Sequence, residues 1–527
     1  MNQSPNGSAP LPPPPARIFL AGIGGIGMSA LAQFLRWQGY EVGGSDRELS
    51  GPGRDELYAK LRRQGIRLWP QDGSGVREFK PALIVHSTAV EEGNPDFAAA
   101  AALGIPRQHR AAALAAALDR LPGRQIGVAG SCGKTSVTAW IAAALRDLGR
   151  SVAVIGGGYA HDCVDDTHPG NFFADSTTPE FLVCEVDESD GSLTAFRPHV
   201  GVVLNLGTDH FDRTRLCELF TTYLGRSREA MVVEHGLTAE LTLPPSLPAT
   251  AFAAGPLAVS QPLREGRDTP SPERGQDAPS PKEAGRPLSQ KTPVLLCLAP
   301  ENYEAGLDGI AFDLAGAGRC RVRQYGRHSA TNAAAVLAVL RAAGVTAPPE
   351  ALRRALAAFR GVARRFDRIG VTPAGAVVFD DYAHNIEKIC AALAAAQELT
   401  PGPVLAVFQP HGFGPFKFMR TPLLPALRAQ LRPGDRFALL PVYYAGGSTD
   451  FKPSAAEVAA ELRAAGLPVL DFPDRDAAAA FLRGPDAAAR AVLVLGARDP
   501  GLPAWCAALA EVLRKEKTLA AEKQLFH

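Results

Sequence analysis

The sequence predicts an α/β protein with parallel sheets, and three observations carry that expectation. Short apolar strands alternate with helical stretches along most of the chain, the pattern that lays helices on both faces of a parallel sheet. Two early strand-to-helix turns are rich in glycine, as anion-binding turns at helix starts are. The 527 residues exceed one ordinary core, so three or four domains are expected.

The elements read as follows. Residues 1–16, polar and rich in proline, are expected to be a disordered tail. Arg17 to Ala21 is a strand, followed by Gly22, Gly24 and Gly27 in G-x-G-x-x-G order with Gly25 inside the turn, then a helix from Met28 to Gln38 closed by Gly39. A strand near Tyr40 to Gly43 leads to Asp46, about twenty residues beyond the glycines, which is the dinucleotide fingerprint in its strand–turn–helix setting. Alone it suggests NAD. Ala82 to His86 is a further strand, ending in Ser87 and Thr88. This first block spans 17–120.

The second block, 121–360, opens with the apolar strand Gln125 to Ala129 and the turn Gly130, Ser131, Cys132, Gly133, Lys134, Thr135, Ser136, which runs into a helix ending near Leu145. Backbone N–H groups at such a helix start hold phosphate oxygens, the lysine reaches the outer phosphates, and the hydroxyl of Thr135 or Ser136 can hold a magnesium ion. The loop is shorter than the full Walker pattern, since Val128 stands where its first glycine would be. Strand Phe181 to Cys184 runs into Glu185, Asp187, Glu188 and Asp190, an acidic group suited to magnesium. Strand Val200 to Leu204 ends at Asn205, with Asp209, His210 and Asp212 beyond it as candidates for a second metal ligand. Residues 255–292 are rich in Pro, Ser, Gly and mixed charge, a composition expected of a disordered surface insertion. Tyr325 to Asn332 opens a helix running to about Leu340, and its polar end either faces a base or ribose or caps the helix through Ser329 or Thr331.

The third block, 361–527, has strands at Ala376 to Phe379, Val404 to Phe408, Arg436 to Leu440 and Ala491 to Leu495. Arg364, Arg365 and Asp367 precede the first strand. Asp380, Asp381, Tyr382, Ala383 and His384 end it, and Gln409, Pro410 and His411 end the second. Polar groups at successive strand ends of one sheet make a pocket rim.

Composition narrows the function classes. A net charge of +1 gives no global field toward nucleic acid or membrane, and no stretch of about twenty apolar residues spans a bilayer. Eight scattered cysteines without paired spacing read as reduced thiols of a cytoplasmic protein.

In this order, GIGGIGMSALA, GSCGKTS, CEVDESDGS, NLGTDH, GRHSATNAAA, ARRFD, DDYAH and FQPH resemble the motifs of the Mur ligase family, from about Arg17 to Trp505. The resemblance implies three domains: a Rossmann-like N-terminal domain for a UDP-sugar, a central P-loop-type ATPase domain and a Rossmann-like C-terminal domain for an amino acid. It replaces NAD by the UDP-sugar diphosphate at Gly22, Gly24, Gly25 and Gly27, with Asp46 and Ser87 beside them. The implied reaction is ATP- and magnesium-dependent amide formation through an acyl phosphate. The members most alike join L-alanine to UDP-N-acetylmuramate; the alternative is a member adding another amino acid or a murein peptide to the same sugar. The implied catalytic set is Lys134, Glu185, His210 and Arg365, with Thr135 or Ser136, Glu185 and His210 at the metal, His328 and Asn332 near adenine, and Arg365 and Asp381 reaching ATP from the third domain. A monomer or homodimer is expected.

The chain departs from the alanine-adding pattern at Cys132, Ser329 and Asn385, and above all after His411, where Gly412 and Pro415 occupy the positions of two carboxylate-binding arginines. Lys417 and Arg420 are the expected substitutes, with Tyr382, His384 and His411 lining the same pocket. Some family members use a carbamylated lysine as a metal ligand; no lysine lies between Lys134 and Lys282, which agrees with the alanine-adding type.

Overall fold

The computed structural model describes residues 10–49, 54–188, 191–207, 212–255, 294–444, 452–484 and 487–510. The first sheet has strands β1 (Arg17–Ala21), β2 (Glu41–Asp46), β3 (Arg67–Pro70), β4 (Leu83–His86) and β5 (Arg107–His109), all parallel, in the order β3-β2-β1-β4-β5. That is the doubly wound order, whose direction reverses between β1 and β4, so a ligand crevice is expected at the ends of those two strands. Residues 10–16 depart from the expected disorder. Leu11 is 3% exposed within the first core, and the Pro12 carbonyl accepts hydrogen bonds from Tyr40 Oη and Arg120 Nη1, both at 2.8 Å. One buried leucine and two carbonyl bonds offset the entropy of ordering that proline-rich stretch. Residues 1–9 lie outside the described part.

The second sheet contains β6 (Arg124–Ala129), β7 (Val152–Ile155), β8 (Phe172–Ala174), β9 (Phe181–Glu185), β10 (Val200–Val203), β11 (Ala230–Glu234), β12 (Ala249–Phe252) and β13 (Val294–Leu298). Their order is β13-β12-β11-β10-β6-β9-β7-β8, and only the edge strand β8 runs antiparallel. Strands such as β6 and β10 are buried along nearly their whole length, which explains their unbroken apolar runs. The helix Lys134–Asp147 packs on this sheet through Val137, Trp140, Ile141 and Leu145. Trp140 stacks on Phe359 with ring centroids 4.9 Å apart and donates Nε1–H to the Leu356 carbonyl at 2.9 Å, so its one polar group is satisfied in the core. The expected insertion 255–292 lies outside the described residues except for Gly255.

A small antiparallel sheet follows: β14 (Glu301–Gly306), β15 (Gly309–Leu314) and β16 (Gly318–Val322). No unbroken apolar run marks these strands in the sequence. The signal is a period of two: Ile310, Phe312 and Leu314 are buried while the residues between them are half-exposed.

The last sheet has β17 (Asp367–Val371), β18 (Val377–Asp381), β19 (Val404–Gln409), β20 (Arg436–Leu439), β21 (Val469–Asp471) and β22 (Ala491–Gly496), in the order β17-β18-β22-β19-β20-β21. Only β17 is antiparallel, and the last strand in sequence sits between β18 and β19. The central and third domains meet through an antiparallel bridge between Ala160 and Val362, and through His161 Nε2, 3.0 Å from Asp367 Oδ2. The first and central domains meet through Asn171, which accepts from Gln33 Nε2 at 2.8 Å and donates to Ile26 O and Ser29 Oγ. Among the described residues no helix is long and apolar enough to cross a membrane.

Candidate active site

The phosphate loop occupies the end of β6, flanked by the ends of β9 and β10. Gly130 has φ +135° and Gly133 φ +83°, conformations a side chain would strain, and Gly133 caps the helix beginning at Lys134. Asn205, just past β10, fixes the loop from the side: its Oδ1 accepts from Cys132 N at 2.8 Å and its Nδ2 donates to Cys132 O at 2.9 Å. Ser131 Oγ accepts from Gly207 N at 2.7 Å. The loop is therefore held open by side-chain bonds that leave its helix-start N–H groups directed at a ligand.

Lys134 Nζ donates to Gly130 O and to Glu188 Oε2, each at 2.7 Å. Glu188 is 2% exposed, and burial pushes its carboxyl up from the usual range, against the pull of Lys134. The acidic group expected to hold magnesium is thus dispersed. Glu188 pairs with Lys134, Asp187 faces Arg110 at 3.3 Å, and Asp190 lies outside the described residues. Sequence could not separate them, because consecutive residues leaving a strand end diverge into the loop.

Glu185 stays at the site. It ends β9 opposite Val128, and its Oε2 accepts from Gly157 N at 2.8 Å. Gly157 and Gly158 form a cradle between two oxygen donors. A Cβ on Gly157 would fall 2.6 Å from Glu185 Oε1, and one on Gly158 would fall 2.8 Å from Thr135 Cγ2. The two successive glycines thus leave room for a carboxylate and for a threonine at a helix start, whose oxygens are of the kind magnesium takes alongside phosphate oxygens. Among the described residues no three His, Cys, Asp or Glu side chains form a metal site by themselves. His210 and Asp209 lie outside the described residues. Asp212 Oδ1 caps the helix Arg213–Leu224 by accepting from Arg215 N at 2.9 Å.

On the far side of the loop, the Asn332 amide lies against Gly133, where a Cβ would meet its Oδ1 at 3.2 Å. His328 is exposed near the start of the same helix, Arg327–Ala342. Ser329 is buried and donates to Tyr325 O at 2.7 Å, so it serves the helix rather than a ligand. From the third domain, the Arg364 and Arg365 guanidiniums lie 5.1 and 5.4 Å from the Tyr382 ring centre. Asp381 accepts from Phe366 N and Ala383 N, both at 2.7 Å, and burial pushes its carboxyl up. It therefore shapes the Arg365 turn as well as lying beside it.

The first domain has its crevice where the strand order reverses. A cleft of about 400 Å³ is lined by Gly22, Gly25, Met28, Asp46, Arg54 and Ser87 among others. Gly24 lies under Asp46 and Tyr58, within 3 Å of any added Cβ, and Gly27 under Arg110. Asp46 accepts from Gly24 N at 2.8 Å and Glu48 N at 2.9 Å, so its carboxylate braces the glycine turn.

The amino-acid set divides. Tyr382, His384 and His411 cluster, with the two histidine rings 5.5 Å apart. Arg420 does not join them: on the helix Phe413–Gln430 it makes a bidentate ion pair with Glu461 of the helix Ala455–Ala464. Lys417, three residues earlier on the same face, is exposed. The expectation that these two replace the missing arginines depends on how the chain turns after Pro415; the helix begins at Phe413 and leaves both exposed.

Three family models match in order: the Mur ligase family catalytic domain over residues 17–121, the Mur ligase middle domain over 128–218, and the Mur ligase glutamate ligase domain over 364–498. The UDP-N-acetylmuramate--L-alanine ligase of Mycolicibacterium paratuberculosis is 32% identical over 507 residues, covering 93% of this chain and 94% of the relative. This chain belongs to the Mur ligase family. Another relative of this Mur ligase, the UDP-N-acetylmuramate--L-alanine ligase of Streptomyces coelicolor, is 33% identical over 497 residues, covering 93% and 96%. Among solved structures, the UDP-N-acetylmuramate-alanine ligase of Thermotoga maritima has a TM-score of 0.69 at 23% identity, covering 95% of this chain and all of that one. A murein peptide ligase from Psychrobacter arcticus has a TM-score of 0.57 at 17% identity, covering 94% and 98%, and shares the three-domain fold.

Proposed function

We propose that this Mur ligase joins L-alanine to the lactyl carboxylate of UDP-N-acetylmuramate, using ATP and Mg2+, in cytoplasmic peptidoglycan synthesis. The observation that carries the reading is the Lys134, Thr135 and Glu185 constellation at the phosphate loop, in a chain that aligns with alanine-adding relatives over 93% of its length. The sugar diphosphate belongs in the first-domain cleft. ATP belongs on the central loop, with Arg365 approaching from the third domain. The sugar carboxylate attacks the γ-phosphate to give an acyl phosphate and ADP. The amine then attacks that carbonyl, and the tetrahedral intermediate expels phosphate.

Each residue has a physical task. Several anionic groups must be gathered at one point, and Lys134 and Arg365 supply the positive charge that makes this possible. Glu185 and Thr135 would hold the magnesium, which would offset charge on the phosphates. His210 is the remaining candidate ligand, and Asn332 and His328 face the nucleotide base. Closure of the third domain over the central one completes the site and brings both substrates into line. One chain carries every element, so a monomer or homodimer suffices.

The test is phosphate release with UDP-N-acetylmuramate and ATP across L-alanine, glycine, L-serine and a murein tripeptide. Highest kcat/KM with L-alanine is expected. Turnover with the tripeptide alone would replace this reading by a peptide-joining one.

A further inference from the structure

We infer that Arg498 is the residue that holds the carboxylate of the incoming amino acid, an inference that rests on the reaction proposed above. The sheet register places it. Leu495 of β22 pairs with Asp381 of β18 on one side and Phe408 of β19 on the other. Three residues past that rung, the three neighbouring chains reach His384, Arg498 and His411. Because β22 lies between β18 and β19, with adjacent strands about 4.8 Å apart, the chain carrying Arg498 leaves the sheet between the chains carrying the two histidines. Those histidine rings are themselves 5.5 Å apart.

The segment carrying Arg498 is braced on both sides. Arg364 donates to Gly496 O at 2.6 Å and Ala497 O at 2.8 Å. Arg475 bridges Gln409 Oε1, at 2.7 Å, and the Asp499 carboxylate, while Asp499 Oδ1 accepts from Gly501 N at 2.8 Å. Two arginines and an aspartate are thus committed to fixing the backbone around a third arginine. The guanidinium of Arg498 is exposed and makes no hydrogen bond or ion pair with any described residue.

Several other positive groups of the domain already have partners. Arg364 and Arg475 are bound as above, Arg420 pairs with Glu461, and Arg365 lies over Tyr382 beside Asp381. His411 is not a cation at neutral pH: burial, with His384 and Arg498 nearby, lowers it to about 4. Its Nδ1 is buried without a hydrogen-bond partner among the described residues. A neutral imidazole beside an unpaired guanidinium gives an anion one charged fork and one neutral neighbour, a match for a single carboxylate. Gly412 and Pro415 offer no side-chain donor. Lys417, exposed on the outer face of its helix, is the competing candidate.

The test compares wild type, Arg498→Ala, Arg498→Lys and Lys417→Ala on L-alanine and on L-alaninamide, whose carboxylate is replaced by a neutral amide. Arg498→Ala is expected to raise the L-alanine KM roughly ten- to a hundredfold, as loss of a charge-assisted bond does, with the UDP-N-acetylmuramate KM and the melting temperature unchanged. L-alaninamide turnover should be the same in wild type and Arg498→Ala, so the preference for the carboxylate collapses. Arg498→Lys should fall between, and Lys417→Ala should match wild type. An L-alanine KM within twofold of wild type in Arg498→Ala, or equal losses on both amines, overturns the assignment. Wild-type protein that turns over no free amino acid overturns the parent reading instead, and does so before any variant is made.

Discussion

Gly157→Ala is expected to weaken metal use while leaving the fold intact. Gly157 N–H donates to Glu185 Oε2 at 2.8 Å, and an added Cβ would lie 2.6 and 2.7 Å from the two carboxylate oxygens and 2.8 Å from Cδ. Real Cβ atoms do not come so close, so one group must yield. The backbone at Gly157 is outside the left-handed region, so alanine is not strained there. The obstacle is the end of a flexible side chain, and Glu185 will swing away rather than the strands separate. The carboxylate then loses a charge-assisted bond worth about 1.5–3 kcal/mol and its fixed position at the end of β9. At 1.4 kcal/mol per factor of ten, the magnesium concentration for half-maximal phosphate release should rise roughly ten- to a hundredfold. The melting temperature should move by less than about 3 °C. Gly156→Ala is the control, because its Cβ would meet nothing closer than 3.7 Å. An unchanged magnesium titration in Gly157→Ala, or a melting temperature as low as that of a core truncation, would show that the cradle is packing and that Glu185 is not placed by it.

Lys134→Ala should lower kcat at least about a hundredfold, the loss of roughly 3 kcal/mol of charge stabilisation. It should also lower stability, since Glu188 is left buried without its partner; that loss should grow as pH rises above the ordinary glutamate range, where the unfolded chain ionises freely and the folded one does not. Lys134→Ala/Glu188→Gln should regain the melting temperature and none of the activity, and a double variant as unstable as the single one would count against the pairing. The His161–Asp367 contact raises the His161 pKa, chiefly through their hydrogen bond, so its stabilisation is full below the unfolded histidine value and disappears as pH climbs through the folded one. The difference in melting temperature between wild type and His161→Gln, on the order of 1 kcal/mol of stability, should therefore shrink from about pH 6 to about pH 9, and a constant difference would refute the link.

The alternating architecture and the loops at strand ends were legible because each depends on local chemistry. An apolar run followed by Gly130 to Thr135 specifies a strand, a turn and a helix start without help from elsewhere. Glu185, Asp187 and Glu188 share one strand end and read alike in the sequence; only the family resemblance sets Glu185 apart. Other features rest on distant partners. Nothing around Glu188 in the sequence says that it meets Lys134, 54 residues away. Arg498 lies in an unremarked Gly-Ala-Arg-Asp-Pro stretch, and only the position of the last strand between β18 and β19 gives it neighbours. Arg420 looked available until the helix register aimed it at Glu461. The packing of residues 10–16 was missed because composition measures what a segment can bury alone, not the carbonyl partners Tyr40 and Arg120 supply.

The ion pair in the phosphate loop makes nucleotide binding a substitution. Before the triphosphate arrives, the lysine charge is already balanced by a carboxylate that water scarcely reaches. An incoming anion must outcompete that carboxylate to reach the ammonium. A lone phosphate would have only the loop amides and this contested cation to draw on, whereas a nucleoside triphosphate bound as proposed would add contacts along its length. On the proposed reading, such a pair favours anions that engage the loop at several points over those that reach only the lysine.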